Sequence, residues 1–182
     1  FNYTIGDAVA PEVDEYEETV AEPVNLHEGP IQTVGRRKRA IARITVTEGE
    51  FAGWQTYDLK DTFDVVVGPF YGRPDPDGRM RCAFRAEQKH MNAGGRMHGG
   101  CLMTFADIAM FQIAYQEMEG ASGVTVQLDS TFIDGAYVGE LIEATGEVTK
   151  AGKSLIFVRG QITTGERLLM TFSGVIRKFT PR

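Results

Sequence analysis

The chain has 182 residues, 42 % hydrophobic and 24 % charged, the balance of an ordinary globular protein with room for one sizeable core. A formal net charge of −6 gives no whole-chain case for nucleic acid, and two cysteines, Cys82 and Cys101, are too few for a disulfide framework or a metal-ligand set. With no signal-like or membrane-spanning run in view, these features point to a reducing compartment, the cytoplasm.

Residues 1–30 carry eight acidic residues, no Lys or Arg, and Pro11, Pro23 and Pro30. This composition predicts a solvated, disordered or extended leader. Charge then reverses in IQTVGRRKRAIARIT, where Arg36, Arg37, Lys38, Arg39 and Arg43 stand without an acid. Such a run can meet phosphates, but is more often a solvated face. An acidic extension followed by QTVGRRKRAIARI resembles the start of the ninth protein of the small ribosomal subunit, over residues ~20–45. The remainder of that ribosomal domain does not follow. Fusion, a misplaced gene start and coincidence all stay open, and nucleic acid is not the expected partner of the whole chain. The leader is therefore bounded at residues 1–45, and residues 46–182 are expected to form the functional domain.

Residues 46–60 read as a connecting approach holding the single Trp54. In DTFDVVVG, Asp61 can cap a short helix and Gly68 can stop it, with Phe63, Val66 and Val67 as its core face. A β-hairpin follows, turning at Pro74-Asp75-Pro76-Asp77-Gly78, with Arg79, Arg81 and Arg85 on a wet face.

The chain is organised around residues 87–119, EQKHMNAGGRMHGGCLMTFADIAMFQIAYQEME. A polar loop with two glycine pairs gives way near His98 to a helix that is apolar on every side as far as Met118. Such a helix is buried rather than laid on a surface. Met103, Met110 and Met118 are core, or the lining of an acyl tunnel. Asp107 stands in this apolar wall, and an ionised carboxylate there is costly unless compensated. Thr104 is its near polar neighbour on the helix. A carboxylate aimed into a cleft suits base or nucleophile work. At the helix start, His98-Gly99-Gly100 offers unpaired N–H groups at the positive end of the dipole, and Asn92 offers an amide donor. Together these features fit acyl transfer. His90 reads as a loop residue bonding backbone. Three scattered histidines give no metal site, and the glycines match no nucleotide-binding pattern, so no cofactor is expected.

Four strands close the chain. Val124, Val126 and Leu128 alternate against Thr125, Gln127 and Asp129, and Ile142, Ala144, Gly146 and Val148 share the face of the next strand. Short turns at Lys150-Ala151-Gly152-Lys153 and Thr164-Gly165-Glu166 predict an antiparallel meander. The expected class is α+β, an antiparallel sheet wrapped round one long central helix. A single sheet leaves part of the helix and its own edges uncovered, so a homodimer or homotetramer is expected.

HMNAGGRMHGGCLMTFAD resembles the signature of hotdog-fold acyl-CoA thioesterases, closest to the phenylacetate-pathway type, and the likeness runs from about residue 46 to residue 182. The resemblance implies hydrolysis of a coenzyme A thioester at sites shared between two subunits. Asn92 and the N–H of Gly99 would hold the carbonyl, with Gly100 beside it and His98 bracing Asn92. Asp107 of the other subunit would act as general base or nucleophile. Thr125 would place the water, standing where Ser is common. Lys150, Lys153 and Arg159 are candidates for the phosphates of coenzyme A, or plain surface charge. The alternatives are an acyl-CoA hydratase or dehydratase of the same fold, and a non-catalytic acyl-CoA binding module.

Overall fold

The computed structural model describes residues 44–46, 49–57 and 62–179. In chain order these form β1 (Ile44–Val46), β2 (Gln55–Tyr57), α1 (Thr62–Val67), β3 (Tyr71–Pro74), β4 (Met80–Arg85), α2 (Gly99–Ile113), α3 (Tyr115–Met118), β5 (Ser122–Phe132), β6 (Leu141–Ala151), β7 (Leu155–Thr164) and β8 (Arg167–Phe179). The acidic leader, the basic run from Arg36 to Arg43 and the capping role of Asp61 lie outside the described residues.

The eight strands make one antiparallel sheet in the order β1-β2-β3-β4-β6-β7-β8-β5. Helix α2 lies against one face of it. Leu102, Phe105, Ala106, Ala109 and Met110 pack on Ile142, Ala144, Ile156, Val158, Ile162, Met170 and Ile176, all buried. Removing such side chains from water stabilises by about 1.5–3 kcal/mol each for the larger ones. Close approach requires glycine beneath the helix. A Cβ on Gly174 would stand 2.2 Å from the Met110 sulfur, and one on Gly146 would stand 2.8 Å from Ile113 Cδ1. A sheet curled round one helix is the hotdog arrangement, as the resemblance implies.

Several local expectations change. Residues 46–60 are more than a connection. They supply β2 and a 3₁₀ turn at Gly49–Phe51, and Trp54 packs with Phe51 and Ala83 in a second small core on the other face of the hairpin. Helix α1 forms, yet its face is not core: Phe63 is 57 % and Val66 70 % exposed, and only Val67 packs inward. Six residues are too few to bury a stripe, so α1 is held at its end instead. The Val67 carbonyl bonds His90 Nε2 at 2.8 Å, and the Gly68 carbonyl accepts from Lys89 Nζ at 2.5 Å.

The hairpin arginines are not simply solvated. Arg81 Nε donates to Asp75 at 3.0 Å and its Nη1 to Glu143 at 3.3 Å. Arg79 pairs with Asp77, and Arg85 with Glu50. The long helix is shorter than its apolar run: α2 stops at Ile113, and Ala114 (φ −86°, ψ 8°) separates it from α3. Nor is it buried all round. The sheet covers one side, and Met103, on another, is 36 % exposed.

The last four strands are not a simple meander. β6, β7 and β8 follow one another, but β5 pairs with β8 at the sheet edge. Residues 133–140, too long for a tight turn, carry the chain across. The alternation expected in β5 also fails. Its register against β8 shifts between Thr125 and Gln127, so one extra residue, Val126, is inserted. Before the bulge Gly123 and Thr125 face the helix; after it Leu128 does, packed against the main core. Val124 is left on the outer face, half exposed.

Candidate active site

The loop before α2 is wired by its own side chains. Asn92 is exposed, and its Oδ1 accepts from the N–H of Gly94 at 2.8 Å and of Arg96 at 3.3 Å. The Gly95 N–H closes the turn onto the Asn92 carbonyl at 3.0 Å, which takes Gly95 to φ 74°, a conformation that costs glycine nothing. With Oδ1 committed to the turn, Nδ2 is the end of Asn92 that can meet a ligand.

His98 is the helix N-cap, in extended backbone, and its Nδ1 accepts from the Gly100 N–H at 2.9 Å. Two expectations are thereby corrected. The amides of the Gly99-Gly100 pair are not both unpaired, because the cap takes Gly100. And His98 does not brace Asn92, which is held by its own turn. The amide of Gly99, at the first helical position, has no acceptor within the helix. It therefore carries the positive end of the dipole at this point.

Asp107 is half-buried, eight residues beyond Gly99. Its partner comes from the sheet. Thr125 Oγ1 donates to Asp107 Oδ1 at 2.5 Å. Thr104 is not that partner, since its hydroxyl donates to the Gly100 carbonyl at 3.0 Å. The Thr125 bond fixes one carboxylate oxygen and leaves the other to meet a ligand. Eight residues of helix span about 12 Å along the axis. Within one chain, then, Asp107 and the Gly99 amide stand too far apart to act on the same carbonyl group.

The expected phosphate ligands do not gather at the helix start. Lys150 and Lys153 are exposed beside the β6–β7 turn. Arg159 lies on the outer face of the sheet, between inward-facing Val158 and Gly160, and donates through Nε to Glu147 Oε1 at 2.6 Å. A groove of about 560 Å³ on that outer face is lined by Arg79, Arg81, Glu147 and Arg159. It includes neither Asp107 nor Gly99.

Two neighbouring groups have settled roles. Burial pushes the Cys101 thiol up to about 11, so at neutral pH it is no thiolate nucleophile. His90 is buried, accepts from the Glu87 N–H at 2.9 Å through Nδ1, and bonds the Val67 carbonyl through Nε2. It is the backbone-bonding loop residue expected. Among the described residues no three His, Cys, Asp or Glu side chains are placed to hold a metal ion. One site residue was not foreseen. The ring of Phe132, at the end of β5, lies against Gly99. Strict alternation counted from Thr125 turns that side chain to the other face, and only the bulge corrects the count.

Residues 94–171 match the model of the thioesterase superfamily. The Pseudomonas aeruginosa protein PA0474, which carries an esterase name, is 36 % identical over 111 residues, 60 % of this chain and 83 % of that protein. The chain belongs to the thioesterase superfamily. Human acyl-coenzyme A thioesterase 13 is 33 % identical over 101 residues, 56 % of this chain and 72 % of that one. Among solved structures, the Escherichia coli PaaI protein of the phenylacetic acid degradation operon superimposes with a TM-score of 0.58. It is 19 % identical, over 66 % of this chain and 86 % of its own. The superfamily match contains His98, Gly99, Asp107 and Thr125, and begins two residues after Asn92. The ribosomal likeness is also present. Small ribosomal subunit protein uS9 of Corynebacterium glutamicum is 58 % identical over 50 residues, 27 % of this chain, but the match spans only 26 % of that protein.

Proposed function

We propose that the protein hydrolyses an acyl-CoA thioester to a free acid and coenzyme A. The observation that carries this reading is the half-buried Asp107 carboxylate, held by Thr125 on the helix whose glycine start offers an amide at Gly99. The thioester oxygen would accept from Gly99 N–H and Asn92 Nδ2, so that charge developing on it meets preorganised donors. The free carboxylate oxygen of Asp107 would take the proton from an attacking water, or attack the carbonyl carbon itself, expelling the thiolate to leave a mixed anhydride that water then hydrolyses to the free acid and Asp107. In the first route water oxygen bonds to the carbonyl carbon, the C–S bond breaks, and the thiolate of coenzyme A leaves and is protonated. Thr125 would orient the carboxylate. The name of the human relative favours this substrate class over that of a hydratase or a binding module.

The site is completed by a second copy. Because Gly99 and Asp107 stand about 12 Å apart along one helix, the carbonyl donors of one chain need the carboxylate of another. β5, the strand that carries Thr125, lies at the sheet edge and pairs only with β8 among the described residues, which leaves its other side for a partner strand. A homodimer meets both needs, and pairing of dimers would give a homotetramer. Lys150 and Lys153, exposed beside one turn, suit the phosphates of coenzyme A, and Gly100 would flank the thioester. Arg159 fits that role less well while bound to Glu147. Residues 46–182 would carry this function, with residues 1–45 as a leader. Two free thiols, Cys82 and Cys101, suit the cytoplasm. No helix among the described residues is long and apolar enough to cross a membrane.

The test is release of thiol from acyl-CoAs of varied length and aromaticity, followed with a thiol reagent. Asp107→Asn should abolish turnover, and Asn92→Ala should cut it by about 10²–10³. Mixing the two impaired variants and letting subunits exchange should raise activity well above either alone, since one of the two sites in each mixed dimer is then intact. Full activity in Asp107→Asn would remove the assignment. Tight acyl-CoA binding without thiol release would favour the binding module, and no recovery on mixing would place the whole site in one chain.

A further inference from the structure

Two of the contacts that strand β5 makes with α2 lie on opposite sides of the bulge. Thr125 Oγ1 meets Asp107, and seven residues later the Phe132 ring meets Gly99. Its Cε1 and Cζ atoms lie 3.3 Å from where a Cβ on Gly99 would stand. A regular strand cannot make both contacts, because residues an odd number apart face opposite ways. The inserted Val126 reverses the phase between them. Phe132 is nonetheless 50 % exposed, and Ile133 after it 52 %. A large apolar ring is therefore set against the helix start with half its surface open to whatever enters there.

We propose that Phe132 is a specificity-determining residue, its ring edge forming the wall beside the Gly99 amide against which the first carbons of the acyl group lie. This rests on the reading that Gly99 N–H holds the thioester carbonyl. An oxygen bound to that amide sits about 2.9 Å from its nitrogen, and no side chain on Gly99 separates the carbonyl from the ring. The carbon next to the carbonyl would then come within reach of the ring edge. An unbranched acyl chain passes the wall and gains apolar contact. A methyl branch at that carbon meets the ring, whose inner edge already rests against Gly99.

The experiment compares kcat/KM for hexanoyl-CoA and 2-methylhexanoyl-CoA in the wild type and in Phe132→Ala and Phe132→Leu. One methyl group against a fitted wall is worth about 10- to 200-fold in kcat/KM, so the wild type should favour the linear substrate by at least about tenfold. Phe132→Ala should shrink that ratio toward one, chiefly by raising kcat/KM for the branched substrate, with Phe132→Leu in between. A ratio unchanged in both variants, with both substrates falling together, would mean that the ring only supports the helix start, and the inference fails. A wild-type ratio near one overturns it as well. Hydrolysis of neither substrate by the wild type, nor of any other acyl-CoA, would instead bring down the thioesterase reading beneath it.

Discussion

The start and the middle of α2 solve the same problem, holding a polar group at an apolar surface, by opposite means. At the start everything is local. His98 caps Gly100, two residues on, and Asn92 is fixed by the amides of Gly94 and Arg96. At Asp107 the partner is remote: Thr125, eighteen residues on, reaches back from the sheet. Local wiring survives small movements of the sheet. Remote wiring depends on strand phase, so one residue more or less in β5 decides whether Asp107 has its partner.

That contrast is broken most severely by deleting Val126. A regular β5 can keep Thr125 on Asp107 or Phe132 on Gly99, but not both. Turnover should fall by about 10²-fold or more, the usual cost of misplacing a positioning group by an ångström or so. Val126→Ala keeps the extra residue and should keep nearly full thiol release in the same assay. Equal activity in the deletion would show that the phase of β5 does not matter to the site.

The same contrast explains what could be read from the residues. The helix start was legible because its chemistry is written in consecutive positions: a capping His, two glycines and an Asn six residues before the cap. The sheet wrapped round a helix was legible from the order of apolar runs. Phe132 and the Val126 bulge were not, because an inserted residue leaves no mark on an alternating pattern; Val124, Val126 and Leu128 look like one face until the pairing with β8 is known. α1 differs for another reason. Phe63 and Val66 have the spacing of a buried stripe, but a six-residue helix is too short to sink that stripe into the main core, and both stay more than half exposed. The solvated face expected for Arg81 fails partly because one of its two partners, Glu143, arrives from another strand, beside Asp75 of its own hairpin.

A smaller effect isolates the local end. His98→Ala removes the acceptor for Gly100 N–H and should cost about 0.5–2 kcal/mol of stability, the range for a lost N-cap. His98→Asn supplies another good cap and should recover most of the melting temperature. If capping is all His98 does, activity should recover with it. Stability restored without activity would place the imidazole in the chemistry.

The smallest effect separates His98 from the other histidine of the loop. Burial, first, and the nearby Lys89 charge hold the His90 pKa below its ordinary value of 6.5, against the weaker upward pull of the Val67 carbonyl and Glu87. In the folded chain Nδ1 is unprotonated and accepts from Glu87 N–H. In the unfolded chain the ring takes up its proton near 6.5, before the folded one does, so acid favours unfolding. The stability this confers is complete above about pH 6.5 and drains away as pH falls through the lowered folded value. The melting temperature should therefore decline from pH 6.5 to pH 5. The Val67 anchor should loosen with it, seen as faster amide exchange in α1. His90→Gln, which can still accept at the loop but does not titrate, should flatten the decline over that window. An unchanged slope in His90→Gln would mean that carboxylates elsewhere, not the loop beneath α1, set the acid response.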